Sequence, residues 1–102
     1  MLQHYAATAL KDLPPGRSMS VTIAGRHLAL FNVKGRIFAI DGKCPHHGAP
    51  LTDGIVKGSI VTCPWHGAEF DLTNGSVLCP PAVEGIQSYP VFLNGDSIEV
   101  EL

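Results

Sequence analysis

Two nearly identical hexapeptides, CPHHGA at 44–49 and CPWHGA at 63–68, constrain this chain more than any other feature. In each, a histidine lies within three residues after the cysteine, and the hexapeptide ends in His-Gly-Ala. Thiolate and imidazole groups are ligands that zinc and iron accept in proteins. Two loops that each offer one thiolate and one imidazole can hold a metal centre between them. The sequence therefore predicts that the fold brings these two loops together.

The stretch that contains both hexapeptides, residues 42–82, differs in composition from the rest of the chain. It holds all three cysteines, five of the eight prolines, three of the five histidines and six of the eleven glycines. Glycine and proline at this density favour turns and loops. We expect a loop-dominated region that a metal centre organises. The segment LTDGIVKGSIVT inside it has room for one short strand out and one back.

The flanking segments are typical of β-strands. Between residues 20 and 40, VTIA, HLALFNV and RIFAI are separated by Gly-Arg and Lys-Gly pairs, which favour tight hairpin turns. HLALFNV is apolar on both faces, so we expect both of its faces to be covered. The tail SYPVFLNGDSIEVEL predicts a further hairpin at NGD, with Ile98, Val100 and Leu102 on one face. Together these patterns predict an antiparallel all-β fold.

The first thirteen residues allow a different interpretation. Their apolar positions follow helical spacing, and Pro14-Pro15 would end such a helix. The residues that form this apolar face are Leu2, Tyr5, Ala6, Ala9, Leu10 and Leu13.

The ligand candidates are Cys44, His46 or His47, Cys63 and His66, with the spacing Cys-x-His-x16-Cys-x2-His. Adjacent residues of an extended chain point in opposite directions, so we expect at most one ligand from the His46–His47 pair. A tetrahedral zinc site with two cysteines and two histidines is one possibility. Zinc sites, however, usually pair cysteine with cysteine and histidine with histidine. A mixed pair in each loop is typical of a Rieske [2Fe–2S] cluster.

CPHHG and CPWHG resemble the two cluster-binding boxes of the Rieske ferredoxin family. GAPLTDGIV and FDLTNGSVLCPPA resemble the segments that flank these boxes, and YPV resembles the return strand, so the resemblance covers nearly the whole chain. It implies one [2Fe–2S] cluster per chain, with Cys44 and Cys63 on one iron and His46 and His66 on the other. His47 does not match a ligand position, and we expect it at the surface near the rim of the cluster.

The resemblance also implies the Rieske fold, in which small antiparallel sheets form a base and a cluster-binding subdomain is inserted between strands. We expect a single domain over residues 1–102, with the base at 1–42 and 82–102 and the cluster-binding subdomain at 43–81. On this basis residues 3–7 form a strand and residues 10–15 a turn, in place of the helix that the apolar spacing allows.

Departures from related Rieske proteins predict a low reduction potential. Those of cytochrome bc complexes carry a disulfide between the boxes and hydroxyl groups that donate to the cluster. This chain has Ala49 and Trp65 at the disulfide positions, and Ala68 and Phe70 at the hydroxyl positions. Fewer hydrogen bonds to sulfur stabilise the reduced state less, so we expect a potential of about −150 mV, at the low end of the Rieske range.

Composition excludes several function classes. The net charge is −2 and the chain has no basic run, which argues against nucleic acid and anionic membrane surfaces as partners. No apolar run approaches the length of a membrane span. The odd number of cysteines and the absence of a secretory signal indicate the cytoplasm.

The resemblance implies a monomeric one-electron carrier that is not itself an enzyme. Its transient partners would be a flavin-dependent NAD(P)H reductase and the terminal Rieske oxygenase of a multicomponent system. The small subunit of an assimilatory nitrite reductase is an alternative, although that family often departs from the Cys-x-x-His-Gly pattern that CPWHG keeps. A zinc-stabilised interaction module is an alternative from another class.

The remaining polar and sulfur-containing residues have ordinary structural interpretations. We expect surface positions for two histidines, packing over the cluster for the tryptophan, and a small, partly buried hydrophobic role for the third cysteine. Three charged residues beside the hexapeptides are expected to form a solvated rim. These residues are His4, His27, Trp65, Cys79, Asp41, Lys43 and Asp53.

Overall fold

The computed structural model describes residues 2–43, 50–64, 67–79 and 85–102. Within these residues the chain forms eleven strands in three antiparallel sheets, together with two short 3-10 turns at Leu10–Asp12 and Leu51–Asp53. The predicted all-β class is confirmed. The strands are β1 (His4–Ala9), β2 (Ser18–Ile23), β3 (Arg26–Val33), β4 (Arg36–Asp41), β5 (Ile55–Lys57), β6 (Ile60–Thr62), β7 (Glu69–Asp71), β8 (Val77–Cys79), β9 (Ser88–Tyr89), β10 (Val91–Asn94) and β11 (Ser97–Glu101).

The central sheet has the order β2-β3-β4-β9 and contains the three strands predicted between residues 20 and 40. Its two hairpin turns each use two residues with positive φ, +51° and +80° at Ala24-Gly25 and +53° and +94° at Lys34-Gly35. This is the conformation of the two-residue turns whose twist matches that of the strands they join. Residues 28–32 of β3 are all buried, which confirms that both faces of this strand are covered.

The central sheet lies between the other two sheets. Because successive side chains of β3 point to opposite faces, this strand contributes residues to two separate cores. One face of the sheet packs against β5–β8, and the opposite face packs against the sheet of order β1-β11-β10. The first core contains Ala29, Phe31, Ile40, Leu51, Val61, Cys63, Ala68, Phe70 and Leu72. The second contains Leu13, Ile23, Leu28, Leu30, Ala39, Tyr89, Ile98 and Val100.

The N-terminal segment is a strand, so the helical interpretation of the first thirteen residues is wrong. β1 pairs antiparallel with β11, with Tyr5 opposite Val100. Gln3 and Leu102 exchange two backbone hydrogen bonds of 2.8 and 2.9 Å. Pairing with a distant strand satisfies the backbone of β1 and outweighs the local apolar spacing. The turn expected over residues 10–15 begins with the 3-10 turn at Leu10–Asp12.

The hairpin predicted at NGD joins β10 and β11, with Asn94 opposite Ser97. Ile98 and Val100 are fully buried, while Phe92 and Leu93 of β10 are 41% and 55% exposed. The alternation predicted for the last strand is therefore confirmed at its two central apolar positions. β5 and β6 likewise form the short hairpin predicted within LTDGIVKGSIVT, with Val56 opposite Val61.

Thr52 ties the chain that follows the first hexapeptide to the central sheet. Ser18 Oγ donates to the Thr52 carbonyl oxygen at 3.0 Å, and Ser20 Oγ lies 3.1 Å from Thr52 Oγ1. These contacts join β2 to the 3-10 turn that precedes β5. They fix the position of one side of the β5–β8 sheet on the central sheet.

Candidate metal centre

The first hexapeptide lies in a loop whose two ends are paired. Lys43 and Pro50 form an isolated antiparallel bridge, and the Leu51 N–H donates to the Gly42 carbonyl at 2.9 Å. The residues directly before and after the first hexapeptide are therefore adjacent in the structure. The predicted ligands Cys44 and His46, together with His47, lie outside the described residues.

Two backbone hydrogen bonds join the described ends of the second hexapeptide, which lies between β6 and β7 in the chain. The Cys63 N–H donates to the Ala68 carbonyl at 2.7 Å, and the Gly67 N–H donates to the Cys63 carbonyl at 3.2 Å. Gly67 has a φ of +74°, which glycine adopts without the strain of a side chain. This backbone conformation favours glycine at position 67. The predicted ligand His66 and its neighbour Trp65 lie outside the described residues.

Described residues next to the two hexapeptides pack together. Leu51, directly after the first loop, shares one buried core with Cys63 and Ala68 of the second. Gly54 lies so close to the second loop that a Cβ there would be 2.3 Å from the Thr62 carbonyl oxygen. A larger residue at position 54 would have to displace the backbone at Thr62, which precedes Cys63. The convergence of the two hexapeptides stays a prediction, because Cys44, His46 and His66 lie outside the described residues.

Cys63 has surroundings that suit a metal ligand. Its residue is 2% exposed, and its thiol forms no disulfide. A buried thiolate requires a nearby positive charge, which a bound metal ion supplies. Within the described ranges no group of three or more His, Cys, Asp or Glu residues is close enough to hold a metal. The complete set of two cysteines and two histidines has the donor chemistry of a [2Fe–2S] site.

The two positions expected to lack hydroxyl donors are fully buried in the core beside Cys63. Ala68 and Phe70 each have 0% exposure. Their side chains offer no hydrogen bond to a metal-bound sulfur. The low reduction potential stays a prediction that rests on this lack of donors.

The sequence suggested that Asp41 is a solvated rim residue. In the structure it is half-buried, and both of its carboxylate oxygens accept hydrogen bonds. One carboxylate oxygen accepts the Tyr89 O–H at 2.7 Å, and the other accepts the Gln87 N–H at 2.9 Å. Arg26 Nη1 donates to the Tyr89 oxygen at 3.3 Å. Sequence analysis missed this network, since its members are far apart in the chain and no local motif joins them. Lys43 and Asp53 are exposed, as expected for a rim.

The two histidines outside the hexapeptides lie on the surface, which confirms their interpretation. His4 stacks on Phe92 with ring centroids 4.3 Å apart, and its Nε2 lies 3.2 Å from a Glu101 carboxylate oxygen. His27 Nδ1 lies 3.1 Å from Thr22 Oγ1. His47, Trp65 and the side chain of Cys79 lie outside the described part of the chain, so the predictions for them stay predictions.

Because the pKa of Tyr89 is raised, we expect the free energy of unfolding to fall at alkaline pH. Burial raises its pKa, the hydrogen bond to Asp41 raises it further, and the hydrogen bond from Arg26 lowers it. Since the folded pKa is above the unfolded value of about 10, this stabilisation is fully present below about pH 10 and is lost as the pH rises through the folded pKa. Urea unfolding of wild type and Tyr89→Phe should therefore give free energies that converge above about pH 10. A difference that stays constant with pH would contradict this.

Comparisons with known proteins agree on one family. Residues 3–90 match the Rieske [2Fe-2S] domain. The ferredoxin component of a naphthalene 1,2-dioxygenase system from Pseudomonas aeruginosa is 38% identical over 96 residues, which cover 94% of this chain and 92% of that protein. Both comparisons span the two hexapeptides.

Solved structures extend the similarity to the fold. A Sphingomonas yanoikuyae B1 ferredoxin superimposes with a TM-score of 0.90 at 30% identity, covering 98% of this chain and 99% of that one. A chain in the complex of reduced oxygenase and oxidized ferredoxin of carbazole 1,9a-dioxygenase has a TM-score of 0.87 at 26% identity, covering 95% and 91%. Among the described residues no helix is long and apolar enough to cross a membrane.

Proposed function

This chain belongs to the Rieske [2Fe–2S] domain family, and we propose that it carries single electrons from an NAD(P)H-dependent flavin reductase to the terminal oxygenase of a multicomponent system. The observation that carries this proposal is the match over 94% of this chain and 92% of a dioxygenase ferredoxin component. Such components are electron carriers and not catalysts, and this chain is likewise not an enzyme by itself. It binds one [2Fe–2S] cluster.

We assign four ligands to the cluster. Cys44 and Cys63 would hold one iron, and His46 and His66 would hold the other. When bound, the cluster supplies the ability to accept and release one electron. Two neutral imidazoles in place of two thiolates make the site less negative, which favours the addition of an electron. The support for this assignment is the buried thiol of Cys63 and the bridge between Lys43 and Pro50 on either side of the first hexapeptide.

We propose that residues 1–102 form one domain with two parts. The base comprises residues 1–42 and 82–102, and the cluster-binding subdomain comprises residues 43–81. Support comes from strand pairing, since among the described strands β5, β6, β7 and β8 pair only with one another. The metal site would then lie at the end of a small sheet that packs on the base.

The proposed partners are a flavin-dependent reductase and a terminal Rieske oxygenase, bound one at a time. A solved complex of ferredoxin and oxygenase in a similar system supports the second partner. Pro64 and Gly67 of the second loop are exposed, and Ile55 nearby is 64% exposed. A small apolar surface of this kind suits electron-transfer encounters, which typically bury less than about 1,200 Å². We further propose a monomer in the cytoplasm, on the cysteine content and charge of the chain.

Restoring one hydroxyl beside the cluster should raise its reduction potential. In Ala68→Ser, an O–H group takes the place of a fully buried methyl group next to Cys63. A hydrogen bond to sulfur strengthens when the cluster gains negative charge, and we expect a rise of about 50 mV. Spectroelectrochemical titration measures it. Ala39→Ser places the same group in the other core and should leave the potential unchanged, whereas equal potentials in wild type and Ala68→Ser would contradict the expectation.

The proposed function is tested by reconstitution. The purified protein is combined with the reductase and oxygenase components of a naphthalene 1,2-dioxygenase system, and NADH-dependent product formation is measured. We expect oxidation of the aromatic substrate only when this chain is present. Reduction by dithionite without any transfer to the oxygenase would contradict the proposal. A colourless protein with bound zinc would exclude electron transfer altogether.

A further inference from the structure

The segment Gly85–Tyr89 is attached on one side to the end of β4. Asp41 accepts the Tyr89 O–H and the Gln87 N–H on its two carboxylate oxygens, at 2.7 and 2.9 Å. The Asp41 N–H in turn donates to the Gln87 carbonyl at 3.0 Å. β9 continues this attachment by pairing with β4, with Tyr89 opposite Ala39. The side chain and the backbone of Asp41, together with the pairing of β4 and β9, thus hold the segment Gly85–Tyr89.

The same segment is attached on its other side to the turn between β7 and β8. The Ile86 N–H donates to the Gly75 carbonyl at 2.8 Å. The two backbones touch, since a Cβ at Gly75 would lie 1.9 Å from the Ile86 carbonyl oxygen and one at Gly85 would lie 2.7 Å from the Gly75 oxygen. Ile86 also packs against the core that contains Cys63. The segment therefore bridges the central sheet and the β5–β8 sheet.

This bridge lies beside the chain that enters the first hexapeptide. Asp41 precedes Cys44 by three residues, and Lys43 begins the paired base of that loop. The second loop belongs to the β5–β8 sheet through β6 and β7. The first hexapeptide follows β4 of the central sheet and leads into β5. A change in the spacing of the two sheets would therefore shift Lys43, directly before the first hexapeptide, relative to Cys63 of the second.

We propose that Asp41 and Tyr89 are positioning residues for the cluster, which keep the two ligand loops together and thereby limit the rate at which the cluster is lost. This inference rests on the proposed function, because it requires the cluster to be held between the loops. The Thr52 hydroxyl and carbonyl contacts with Ser18 and Ser20 tie the sheets on another side. The Asp41 network lies on the N-terminal side of the first hexapeptide, and the Thr52 contacts lie on its C-terminal side.

The network is saturated, so removing one member leaves another without a partner. Each Asp41 carboxylate oxygen accepts one hydrogen bond, and the Tyr89 hydroxyl donates to Asp41 and accepts from Arg26. Tyr89 as a whole residue is 9% exposed, and its hydrogen bonds with Asp41 and Arg26 are partly buried. Tyr89→Phe therefore leaves one carboxylate oxygen without its phenol donor. Asp41→Asn keeps one acceptor oxygen and places an NH₂ group against a donor.

The test is the rate of cluster loss from the holoprotein in excess chelator, followed by visible absorbance. We expect Tyr89→Phe and Asp41→Asn to lose the cluster about tenfold faster than wild type, as removal of a hydrogen bond to a charged acceptor predicts. The double variant should be no faster than the faster single variant, because both changes break one network. Amide exchange at Gln87 should accelerate in Asp41→Asn.

Two controls separate positioning from general stability. Tyr5→Phe removes a hydroxyl that donates to Gln3 on the outer sheet, at 3.0 Å, and should lose the cluster at the wild-type rate. Ile98→Val lowers the free energy of unfolding through the other core and should also keep that rate. If Ile98→Val and Tyr89→Phe lose the cluster equally fast at equal stability, the inference is overturned. A wild-type protein that binds no cluster would overturn the proposed function, and the inference with it.

Discussion

Alanine at His46 or His66 should abolish the rhombic EPR signal that the dithionite-reduced protein is expected to give. Each replacement would remove one of the two imidazoles proposed for the same iron. We expect the variants to lose the visible absorption of the cluster as well. Spectra of the purified protein before and after dithionite, with iron and sulfide analysis, measure both losses.

His47→Ala is the matched control, since it removes the same group from the adjacent position. It should keep the signal and about two irons per chain. The same comparison extends to the thiols, where Cys44→Ser and Cys63→Ser should lose the cluster and Cys79→Ser should keep it. Loss of the signal in His47→Ala with retention in His46→Ala would reverse the assignment of the pair. One zinc per chain in a colourless wild type would exclude the cluster.

Gly75→Ala should destabilise the protein more than any other glycine replacement at a positive φ. Its φ of +78° is unfavourable for alanine, and its added Cβ would lie 1.9 Å from the Ile86 carbonyl oxygen. The backbone strain and the loss of the hydrogen bond between Ile86 and Gly75 should together lower the free energy of unfolding by about 3 kcal/mol or more. For a domain of this size we expect a fall in Tm of about 10 °C or more.

Gly25→Ala provides the control for backbone strain alone. Gly25 has a φ of +80°, and no atom lies within 4 Å of its added Cβ. Its cost should be about 1 kcal/mol, so the difference between the two variants measures the steric contact. Urea or thermal unfolding of both holoproteins provides the values. Equal destabilisation by the two replacements would show that the Gly75–Ile86 contact does not hold the segment in place.

Sequence patterns predicted those parts of the fold that depend on neighbours in the chain. The hairpins at Gly25, Gly35 and Gly95 follow from local turn chemistry and from alternating apolar residues. β1 could not be predicted from its own residues, because helical and extended spacing both fit it. Its partner β11 lies at the other end of the chain, and only the resemblance to a known family favoured the strand.

In the candidate site, too, features that depend on local sequence patterns could be predicted, whereas contacts between distant residues could not. Cysteine and histidine spacing was sufficient to predict the Rieske family, since ligand chemistry limits which residues can hold a metal. The bond between Asp41 and Tyr89 joins residues 48 apart in the sequence, and nothing local distinguishes Asp41 from a solvated rim carboxylate. Close backbone contacts such as Gly75 against Ile86 are also invisible in sequence, because they depend on how two sheets are placed.

The pairing of Gln3 with Leu102 has a practical consequence for building artificial electron-transfer chains. These residues lie on the sheet farthest from the ligand loops, since the central sheet separates the two outer layers. A reductase fused at either terminus, or a surface tag for attachment to an electrode, would leave the Cys63 end free. A short Gly-Ser linker could also join the two ends, and new termini could open at the exposed Lys34-Gly35 turn. Such a permuted protein would present its tether and its redox edge in a new relative orientation.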